Sequence, residues 1–279
     1  MTALRGLVTY HDVTWIASAM TDEDRAVAAE SEGGAISETA RDASPYRLRL
    51  VAHDPMVYDW YYNVVANPTL WFIQHYLWGL ANEPDVDLGL HTAWYSGYEP
   101  VNRAFADAVV AELDRNPASA VFFHDYHLYL APRFVREERP DAVLAHFIHI
   151  PWAQTDCWYV LPEHLRRAVH EGLLANDVVG FHTARWRRNF LRTCRDIAGV
   201  ETDSDGIVTH DGREVRVVHH PIAIDPSEFD ELRDSEPVRA AERTIVEGRS
   251  EFIVLRVDRT DPSKNVVRGL RAFGIFLDR

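Results

Sequence analysis

The segments Val121–Pro132 (VFFHDYHLYLAP) and Ala145–Pro151 (AHFIHIP) each join an apolar run to a group of polar residues. The runs, Ala120–Phe123 and Val143–Ile148, are short and rich in branched or aromatic side chains, which is typical of strands buried on both faces of a sheet. The polar residues that follow them are His124, Asp125, His127 and His149. Taken singly, these are equally compatible with hydrogen-bonded core histidines and a helix-capping aspartate. Because an open α/β sheet binds its ligands outside the carboxyl ends of its strands, the set predicts a functional site here.

The composition limits the classes of function. With 279 residues, of which 47% are hydrophobic, the chain can form a large core in one or two domains. A formal net charge of −14 argues against binding to nucleic acid or to an anionic membrane, and an anionic ligand would need a local basic pocket. Cys157 and Cys194 are too few for a disulfide framework. No apolar run approaches the ~20 residues of a membrane span and no signal-peptide pattern opens the chain, so we expect a soluble, cytoplasmic protein.

Predicted strands alternate with predicted helices along most of the chain. Further strands are predicted at Val13–Ser18, Tyr46–Ala52 and Asp177–Phe181, with a hairpin at Gly206–Val218 that turns at Asp211-Gly212. Helices are predicted at Ala3–Val8, Tyr98–Asp114, Leu161–Leu174 and Thr183–Ile197, with two more in Asp54–Trp78 that Asn67-Pro68 divides. The alternation predicts an α/β fold with a mostly parallel, doubly wound sheet.

A second α/β unit is predicted after residue 230. Asp230–Ser250 is charged and has helical character, and Phe252–Val257 (FIVLRV) indicates a new strand that leads through a loop into a helix ending at Arg279. One strand and one helix cannot bury their own apolar faces, so we expect this unit to be only begun. The predicted organisation is residues 1–230 as one domain, 231–250 as a connecting helix and 251–279 as the start of another domain.

Five motifs resemble those of the trehalose-6-phosphate synthase family of retaining glycosyltransferases and its relatives. In family order they are HDYHL (His124–Leu128), HIP (His149–Pro151), GLLANDVVGFHT (Gly172–Thr183), PIAID (Pro221–Asp225) and VDRTDPSKN (Val257–Asn265). The separations of Asp125 from His149, 24 residues, and of Arg259 from Lys264, 5 residues, also match the family. The resemblance implies two Rossmann-like lobes of the GT-B type. The N-terminal lobe, nearly complete here, would bind a phosphorylated acceptor, and the C-terminal lobe a nucleotide sugar.

Three residues are implied by the resemblance to act on the donor. Arg259 and Lys264 match the basic pair that holds the donor diphosphate, where a guanidinium fork and an ammonium group neutralise oxygens that become more negative as the sugar leaves. A solvated loop at a helix start is the alternative for this pair. His149 matches the histidine that contacts the donor sugar and helps to hold the reactive geometry.

Three residues are implied to act on the acceptor. Asp125 matches the acidic residue near the acceptor hydroxyls. Tyr62 and Trp71, nine residues apart as in the family, match the aromatic pair that lines the phosphosugar site. For Trp71, which lies in an aromatic-rich run, ordinary core packing is the alternative.

The reaction of the family retains the anomeric configuration and is usually described as a front-face attack in which the leaving diphosphate takes the acceptor proton. This implies no enzymic nucleophile, no metal and no cofactor besides the donor, UDP-glucose or GDP-glucose. The sequence shows no Ser-His-Asp order, HExxH or defensible DxD motif. His124 and His127 have metal-ligand spacing, but no convincing further ligand accompanies them.

Several departures from the family pattern bear on the acceptor. The N-terminal strand and the glycine-rich phosphate loop of the family are expected to be missing, since Met1 opens in what resembles the following helix. Serine at position 18 stands where trehalose-forming members have a second tryptophan, Trp152 follows HIP, and Asn265 replaces a glycine. At these positions the chain resembles the pseudo-glycosyltransferase branch more than the trehalose-forming members. One enzyme of that branch, validoxylamine phosphate synthase, joins a cyclitol to an amino-cyclitol phosphate.

The resemblance implies an enzyme of trehalose biosynthesis and osmoprotection, a hexosyltransferase that moves glucose from a nucleoside diphosphate glucose to glucose 6-phosphate. Glycerol 3-phosphate and an amino-cyclitol phosphate are alternative acceptors, and a non-catalytic sugar-phosphate-binding module is the alternative of another class. We expect small-molecule substrates and no nucleic acid or membrane partner, and a homo-oligomer is compatible with the sequence. The chain by itself is expected to turn over little substrate, because most of one substrate site and the loop that helps to close the other are missing.

Overall fold

The computed structural model describes residues 11–31, 34–38, 46–77, 86–223, 226–247 and 252–279. The chain divides into two compact units, residues 1–221 and residues 222–279. The helix predicted at Ala3–Val8 lies outside the described residues. None of the helices in the described ranges is both long and apolar enough to cross a membrane.

The first unit alternates strands and helices. Its strands are β1 (Thr14–Ser18), β2 (Ile36–Glu38), β3 (Tyr46–Val51), β4 (Ala120–His124), β5 (Val143–Ile148), β6 (Val178–Phe181), β7 (Glu201–Thr202), β8 (Ile207–His210) and β9 (Arg213–His219). Its helices are α1 (Asp22–Glu30), α2 (Pro55–Asp59), α3 (Phe72–Gln74), α4 (Leu88–Ala93), α5 (Glu99–Arg115), α6 (Ala131–Glu138), α7 (Thr155–Trp158), α8 (Glu163–Leu174) and α9 (Ala184–Thr193). Wider π-helical turns join α2 to α3 (Trp60–Trp71), join α4 to α5 (Trp94–Tyr98) and extend α9 (Cys194–Ala198).

The strands form two sheets. The first has the order β1-β3-β2, with β1 parallel and β2 antiparallel to β3. The second has the order β4-β5-β6-β9-β8-β7, in which β4, β5, β6 and β9 run parallel and the last two strands form an antiparallel edge. The predicted α/β class with a mostly parallel sheet is therefore confirmed. The predicted hairpin also forms, and Asp211 and Gly212 turn it with positive φ angles of 48° and 72°.

The two long helices of the first unit bury apolar residues that recur once per turn. In α5 the buried face includes Val101 and Phe105, and in α8 it includes Leu165 and Val169. All four belong to one hydrophobic cluster that also contains Ile148, the last residue of β5. The strand end that carries the predicted site is therefore anchored in the core.

The predicted division of Asp54–Trp78 at Asn67-Pro68 is wrong, because Pro68 lies inside the continuous helical segment Trp60–Trp71. In a π-helical turn a carbonyl accepts from the N–H five residues later, so Pro68 supplies no N–H to Asn63 O. In the same segment the hydroxyl of Thr69 donates to Val64 O at 2.8 Å. The proline therefore costs this wider turn one backbone hydrogen bond and does not end it.

The second unit contains α10 (Pro226–Arg233), α11 (Glu236–Val246), a 3₁₀ turn at Pro262–Lys264 and α12 (Val266–Leu277). The strand predicted at Phe252–Val257 does not form among the described residues, and Phe252 and Val257 are 82% and 84% exposed. A strand needs a neighbouring strand for its hydrogen bonds, and the described part of this unit offers none. The assignment of the units as acceptor and donor lobes stays a prediction.

Replacement of Gly172 with alanine is expected to destabilise the first unit by about 3 kcal/mol, because an added Cβ would overlap the backbone. The Cβ would lie 2.1 Å from Tyr129 O and 3.1 Å from Leu130 Cα, in the loop after β4. Urea unfolding measures the loss. The matched control is Ala168→Gly, one turn earlier in α8, for which helix propensity predicts a loss of about 1 kcal/mol. A Gly172→Ala protein as stable as the control would contradict the close approach of α8 to this loop.

Candidate functional site

The carboxyl ends of β4 and β5 bring the predicted polar residues together. In the parallel register His124 lies beside Phe147, so Asp125 and His149 both emerge just beyond the ladder. The Asp125 N–H donates to Phe147 O at 2.8 Å, and Nε2 of the buried His146 donates to Asp125 O, also at 2.8 Å. These contacts hold Asp125 at a φ of 63°, a conformation that residues other than glycine seldom adopt. Backbone strain of this kind is concentrated at functional sites.

A buried asparagine holds the loop that follows Asp125. Asn102, in α5, donates through Nδ2 to Tyr98 O at 2.9 Å and to His127 O at 3.1 Å. Its Oδ1 accepts from the N–H groups of Leu130 and Ala131 at 3.0 and 3.1 Å. One side chain therefore satisfies four backbone groups of the surrounding turns. Asn102 was not predicted from the sequence, where its only signal is a polar residue beside the apolar face of a helix.

The carboxylate of Asp125 faces backbone donors. The His149 N–H donates to Asp125 Oδ1 at 3.2 Å, and the N–H groups of Ile150 and Tyr126 also donate to this carboxylate. Burial raises the pKa of Asp125 from 3.8 to about 6, and these donors limit the rise. The group is therefore mainly ionised at neutral pH and can accept a hydrogen bond from a ligand hydroxyl.

His124 and His149 form a hydrogen-bonded pair. His124 Nδ1 lies 3.1 Å from His149 Nε2, so one of the two nitrogens donates a hydrogen bond and the other accepts it. Burial lowers the pKa of each residue from 6.5 to about 4, and the neighbouring histidines, His149 for the first and His182 for the second, lower it further. Trp15 stacks on the His124 ring with a centroid distance of 6.4 Å. The pair is thus neutral at pH 7 and restrained in orientation.

Four stacked aromatic rings, here called the aromatic column, connect β3 to the loop after β4. The column consists of His53, Tyr58, Tyr62 and His127. Successive centroids lie 5.7, 5.7 and 5.6 Å apart, with interplanar angles of 26°, 11° and 15°. Tyr62 is 36% exposed. The structure therefore places the predicted acceptor residue Tyr62 against His127, two residues from Asp125.

Trp71 lies nine residues after Tyr62 and is half-buried against the hydrophobic core. Its ring contacts Phe72 at a centroid distance of 5.3 Å and His75 at 4.0 Å, and Nδ1 of His75 donates to its carbonyl at 2.7 Å. These are the contacts of a packed aromatic residue, which was the alternative stated for it. Its predicted role in the acceptor site stays a prediction.

Arg259 and Lys264 lie in the second unit. The Arg259 guanidinium is 84% exposed and lies 3.5 Å from the carboxylate of Asp261. Lys264 is exposed at the end of the 3₁₀ turn, and its carbonyl accepts a hydrogen bond from Arg256. Asn265, where the family has glycine, adopts a positive φ of 54° at the start of α12. Both basic side chains are thus presented to solvent beside a helix N-terminus, and their role stays a prediction.

The described residues contain no group of three or more His, Cys, Asp and Glu side chains placed to hold a metal ion. A cavity of about 260 Å³ lies elsewhere, between α5, α6 and α8, and its lining includes Arg103, Phe134 and His164. The guanidinium of Arg103 lies over the Phe134 ring at 4.0 Å. None of the predicted site residues lines this cavity, so the chemistry of the strand ends, and not the cavity, defines the candidate site.

The family model described as glycosyltransferase family 20 matches residues 1–279. The validamine 7-phosphate valienyltransferase of Streptomyces hygroscopicus subsp. jinggangensis (strain 5008) is 30% identical over 269 residues, which cover 94% of this chain and 52% of that protein. The UDP-forming alpha,alpha-trehalose-phosphate synthase A of Dictyostelium discoideum is 33% identical over 213 residues, which cover 76% of this chain and 27% of that protein. The chain thus spans about half of the first relative and about a quarter of the second.

Solved structures show the same fold. The UDP-forming alpha,alpha-trehalose-phosphate synthase from Burkholderia xenovorans, in complex with glucose-6-phosphate, matches with a TM-score of 0.75 and 24% identity over 95% of this chain and 62% of that chain. The alpha,alpha-trehalose 6-phosphate synthase from Burkholderia multivorans matches with a TM-score of 0.72 and 25% identity over 96% of this chain and 62% of that chain. The GT-B type of α/β fold implied by the resemblance is therefore confirmed.

Proposed function

The chain belongs to glycosyltransferase family 20, and we propose that it forms the acceptor side of a retaining glucosyltransferase. The proposed reaction moves glucose from a nucleoside diphosphate glucose to glucose 6-phosphate and gives trehalose 6-phosphate. The relatives named as trehalose-phosphate synthases support this assignment. UDP-glucose is the preferred donor, since those relatives are UDP-forming.

The ionised Asp125 beside the neutral histidine pair is the observation that carries the proposal. The carboxylate accepts hydrogen bonds from sugar hydroxyls, and the two neutral imidazoles offer further hydrogen bonds without adding a positive charge. Asp125 would accept a hydrogen bond from the acceptor hydroxyl, and His149, whose N–H donates to Asp125 at 3.2 Å, would contact the donor sugar. The residues assigned to the two substrates are thus held together by one hydrogen bond.

In the proposed reaction the bond between the glucose anomeric carbon and the diphosphate oxygen breaks as the bond to the acceptor oxygen forms. The acceptor proton passes to the leaving diphosphate, so no protein group changes its protonation state. Asp125 orients the attacking hydroxyl, and the charges of Arg259 and Lys264 stabilise the diphosphate as it becomes more negative. The protein contributes orientation and charge, and no bound metal or other cofactor is part of the proposal.

A second candidate is the coupling of a cyclitol to an amino-cyclitol phosphate. It is favoured by the valienyltransferase relative, which is 30% identical over 94% of this chain, and by the resemblance of serine at position 18 to the pseudo-glycosyltransferase branch. It is placed second because relatives named as UDP-forming trehalose-phosphate synthases are 31–34% identical over 76–80% of this chain.

The test is an assay of this chain and, in parallel, of the longest reading frame that contains it. UDP-glucose and GDP-glucose are offered with glucose 6-phosphate, glycerol 3-phosphate or an amino-cyclitol phosphate, and release of the nucleoside diphosphate is followed. Release that depends on glucose 6-phosphate supports the proposal. A folded protein that binds nucleotide sugar but transfers to no sugar acceptor overturns it in favour of cyclitol coupling. A protein that binds sugar phosphate and transfers to no acceptor supports the non-catalytic module instead.

Replacement of the His124 imidazole is expected to lower kcat about tenfold or more, a loss typical of removing a residue that orients a substrate-binding side chain. In His124→Leu, His149 loses the partner that lies 3.1 Å from its Nε2. In His124→Asn, an amide group occupies the place of Nδ1 and should restore part of the rate. His220→Asn, at an exposed histidine, is the control. Equal rates in the Leu and Asn proteins would contradict the orienting role.

Arg259→Ala and Lys264→Ala are each expected to reduce transfer by about a hundredfold, because each removes a charge from the diphosphate oxygens. Arg259→Lys should recover little, since an ammonium group cannot form the paired hydrogen bonds of a guanidinium. The measurements are kcat and KM for the nucleotide sugar in the longest reading frame. Arg268→Ala, at an exposed position of α12, is the control. Rates unchanged from the wild type would identify the pair as part of a solvated loop.

A further inference from the structure

Three polar side chains outside the predicted site lie at the far end of the aromatic column. Ser18 ends β1 and pairs in parallel register with Val51 of β3, so both strands end at the same level. His53 follows two residues later, and its ring is the last ring of the column. Tyr58, the next ring, lies one turn before Tyr62 on the same side of the helical segment. The column therefore leads from Asp125 to the carboxyl ends of a second pair of parallel strands, where α/β sheets bind ligands.

Two hydrogen bonds link the members of this group, and the one between Ser18 and His53 is long. Ser18 Oγ lies 3.5 Å from His53 Nε2, which is longer than the usual range of about 2.7–3.2 Å. The Tyr58 hydroxyl also forms a hydrogen bond with the Ser18 side chain. Each of these side chains can donate and accept, so the set retains hydrogen-bonding capacity for a ligand.

All three side chains are uncharged at neutral pH. Burial lowers the pKa of His53 from 6.5 to about 4, so its imidazole is neutral. Burial also raises the pKa of the Tyr58 phenol above 10.0, against the effect of the hydrogen bond with Ser18. A phosphate group is better held by the charged donors of Arg or Lys. Neutral groups that both donate and accept are suited to the hydroxyl groups of a sugar or cyclitol.

We propose that Ser18, His53 and Tyr58 form a subsite that binds ring hydroxyl groups of the acceptor and selects a six-membered ring over a short-chain phosphate. The proposal rests on the proposed function, which puts the acceptor at Tyr62 and Asp125. The faces of Tyr62 are covered by Tyr58 and His127, so an acceptor ring lies along its exposed edge. Such a ring meets Tyr58 next, because the two tyrosine rings stack at 5.7 Å with an interplanar angle of 11°. Glycerol 3-phosphate has no ring hydroxyl groups to place there, so it gains nothing from the subsite.

The test compares Tyr58→Phe and Ser18→Ala with the wild type in the longest reading frame. Tyr58→Phe keeps the stacked ring and removes only the hydroxyl, so it is expected to fold. Each variant should raise KM for glucose 6-phosphate by about 5-fold to 20-fold, as for the loss of one hydrogen bond or two. The rate with glycerol 3-phosphate and the KM for UDP-glucose should stay unchanged. Tyr95→Phe is the matched control, since Tyr95 is 53% exposed and stacks on His164 beside the separate cavity.

A Tyr58→Phe protein with the wild-type preference for glucose 6-phosphate over glycerol 3-phosphate overturns the proposal. So does a KM increase that is equal for both acceptors. If Ser18→Ala does not fold, as judged by circular dichroism, Tyr58→Phe decides alone. If the wild type transfers to no acceptor, the proposed function fails, and the subsite is tested by equilibrium dialysis of glucose 6-phosphate. Weaker binding in Tyr58→Phe than in Tyr95→Phe then supports the subsite, and equal binding overturns it.

Discussion

Asp125→Asn is expected to reduce glucosyl transfer by about a hundredfold to a thousandfold, the loss that follows removal of one strong polar contact in a transition state. The amide cannot replace the charge that orients the acceptor hydroxyl in the proposed reaction. Three backbone N–H groups face this side chain, and the remaining carbonyl oxygen can still accept from them. The loss is therefore expected in kcat, with the fold intact.

The same variant should not lose stability at mildly alkaline pH. The folded-state pKa of Asp125 is raised from 3.8 to about 6, so between these values the native state holds a proton that the unfolded chain releases. The free energy of unfolding therefore falls as pH rises through this window, and the ionised carboxylate lowers stability above it. Asparagine carries no charge and removes this effect.

Transfer assays and urea unfolding test the two expectations together, and Asp141→Asn, at an exposed position, is the control. Transfer by Asp125→Asn within a factor of about three of the wild type would exclude an acceptor role for the carboxylate. A large loss of stability would instead mean that Asp125 serves mainly to hold the loop after β4.

The second large effect is acid sensitivity, because several histidines are buried in the neutral form. Burial lowers the pKa of six of them from 6.5 to about 3 or 4: His53, His124, His127, His146, His149 and His170. Between 6.5 and about 4 the unfolded chain binds protons at these residues that the native state does not bind. Each such proton lowers the free energy of unfolding by about 1.4 kcal/mol per pH unit. Stability should therefore fall steeply as pH falls through this window.

The fully buried histidines provide the sharpest test. His146 and His170 are 1% and 0% exposed, whereas partial exposure of the others weakens their contributions. In His170→Gln the unfolded chain should take up about one proton fewer on unfolding in this window. The slope of the unfolding free energy against pH should therefore decrease by about 1.4 kcal/mol per pH unit. His220→Gln, at an exposed residue, should keep the wild-type slope. A wild-type stability that does not change between neutral pH and about pH 5 would contradict the burial of neutral imidazoles.

Local sequence signals predicted much of the fold. The apolar runs at β4 and β5 and the turn at Asp211-Gly212 follow from residue type and spacing, and all three form as predicted. Two local predictions were wrong for different reasons. Pro68 lies inside a continuous π-helical segment, and Phe252–Val257 lacks a neighbouring strand among the described residues. In both cases the local pattern did not specify the hydrogen-bonding partners of the backbone.

The sequence by itself determined the α/β class, the position of the polar residues at two strand ends and the family. Each of these depends on the periodicity of apolar residues or on the order of motifs, which are properties of the sequence alone. Tertiary structure alone decided which of these residues meet. The contact of His124 with His149, the column that joins His53 to His127 and the hydrogen bonds of Asn102 to His127, Leu130 and Ala131 connect residues that are distant in sequence. Burial set the pKa values of Asp125 and the histidines, since desolvation depends on the packed surroundings of a group and not on its neighbours in the chain.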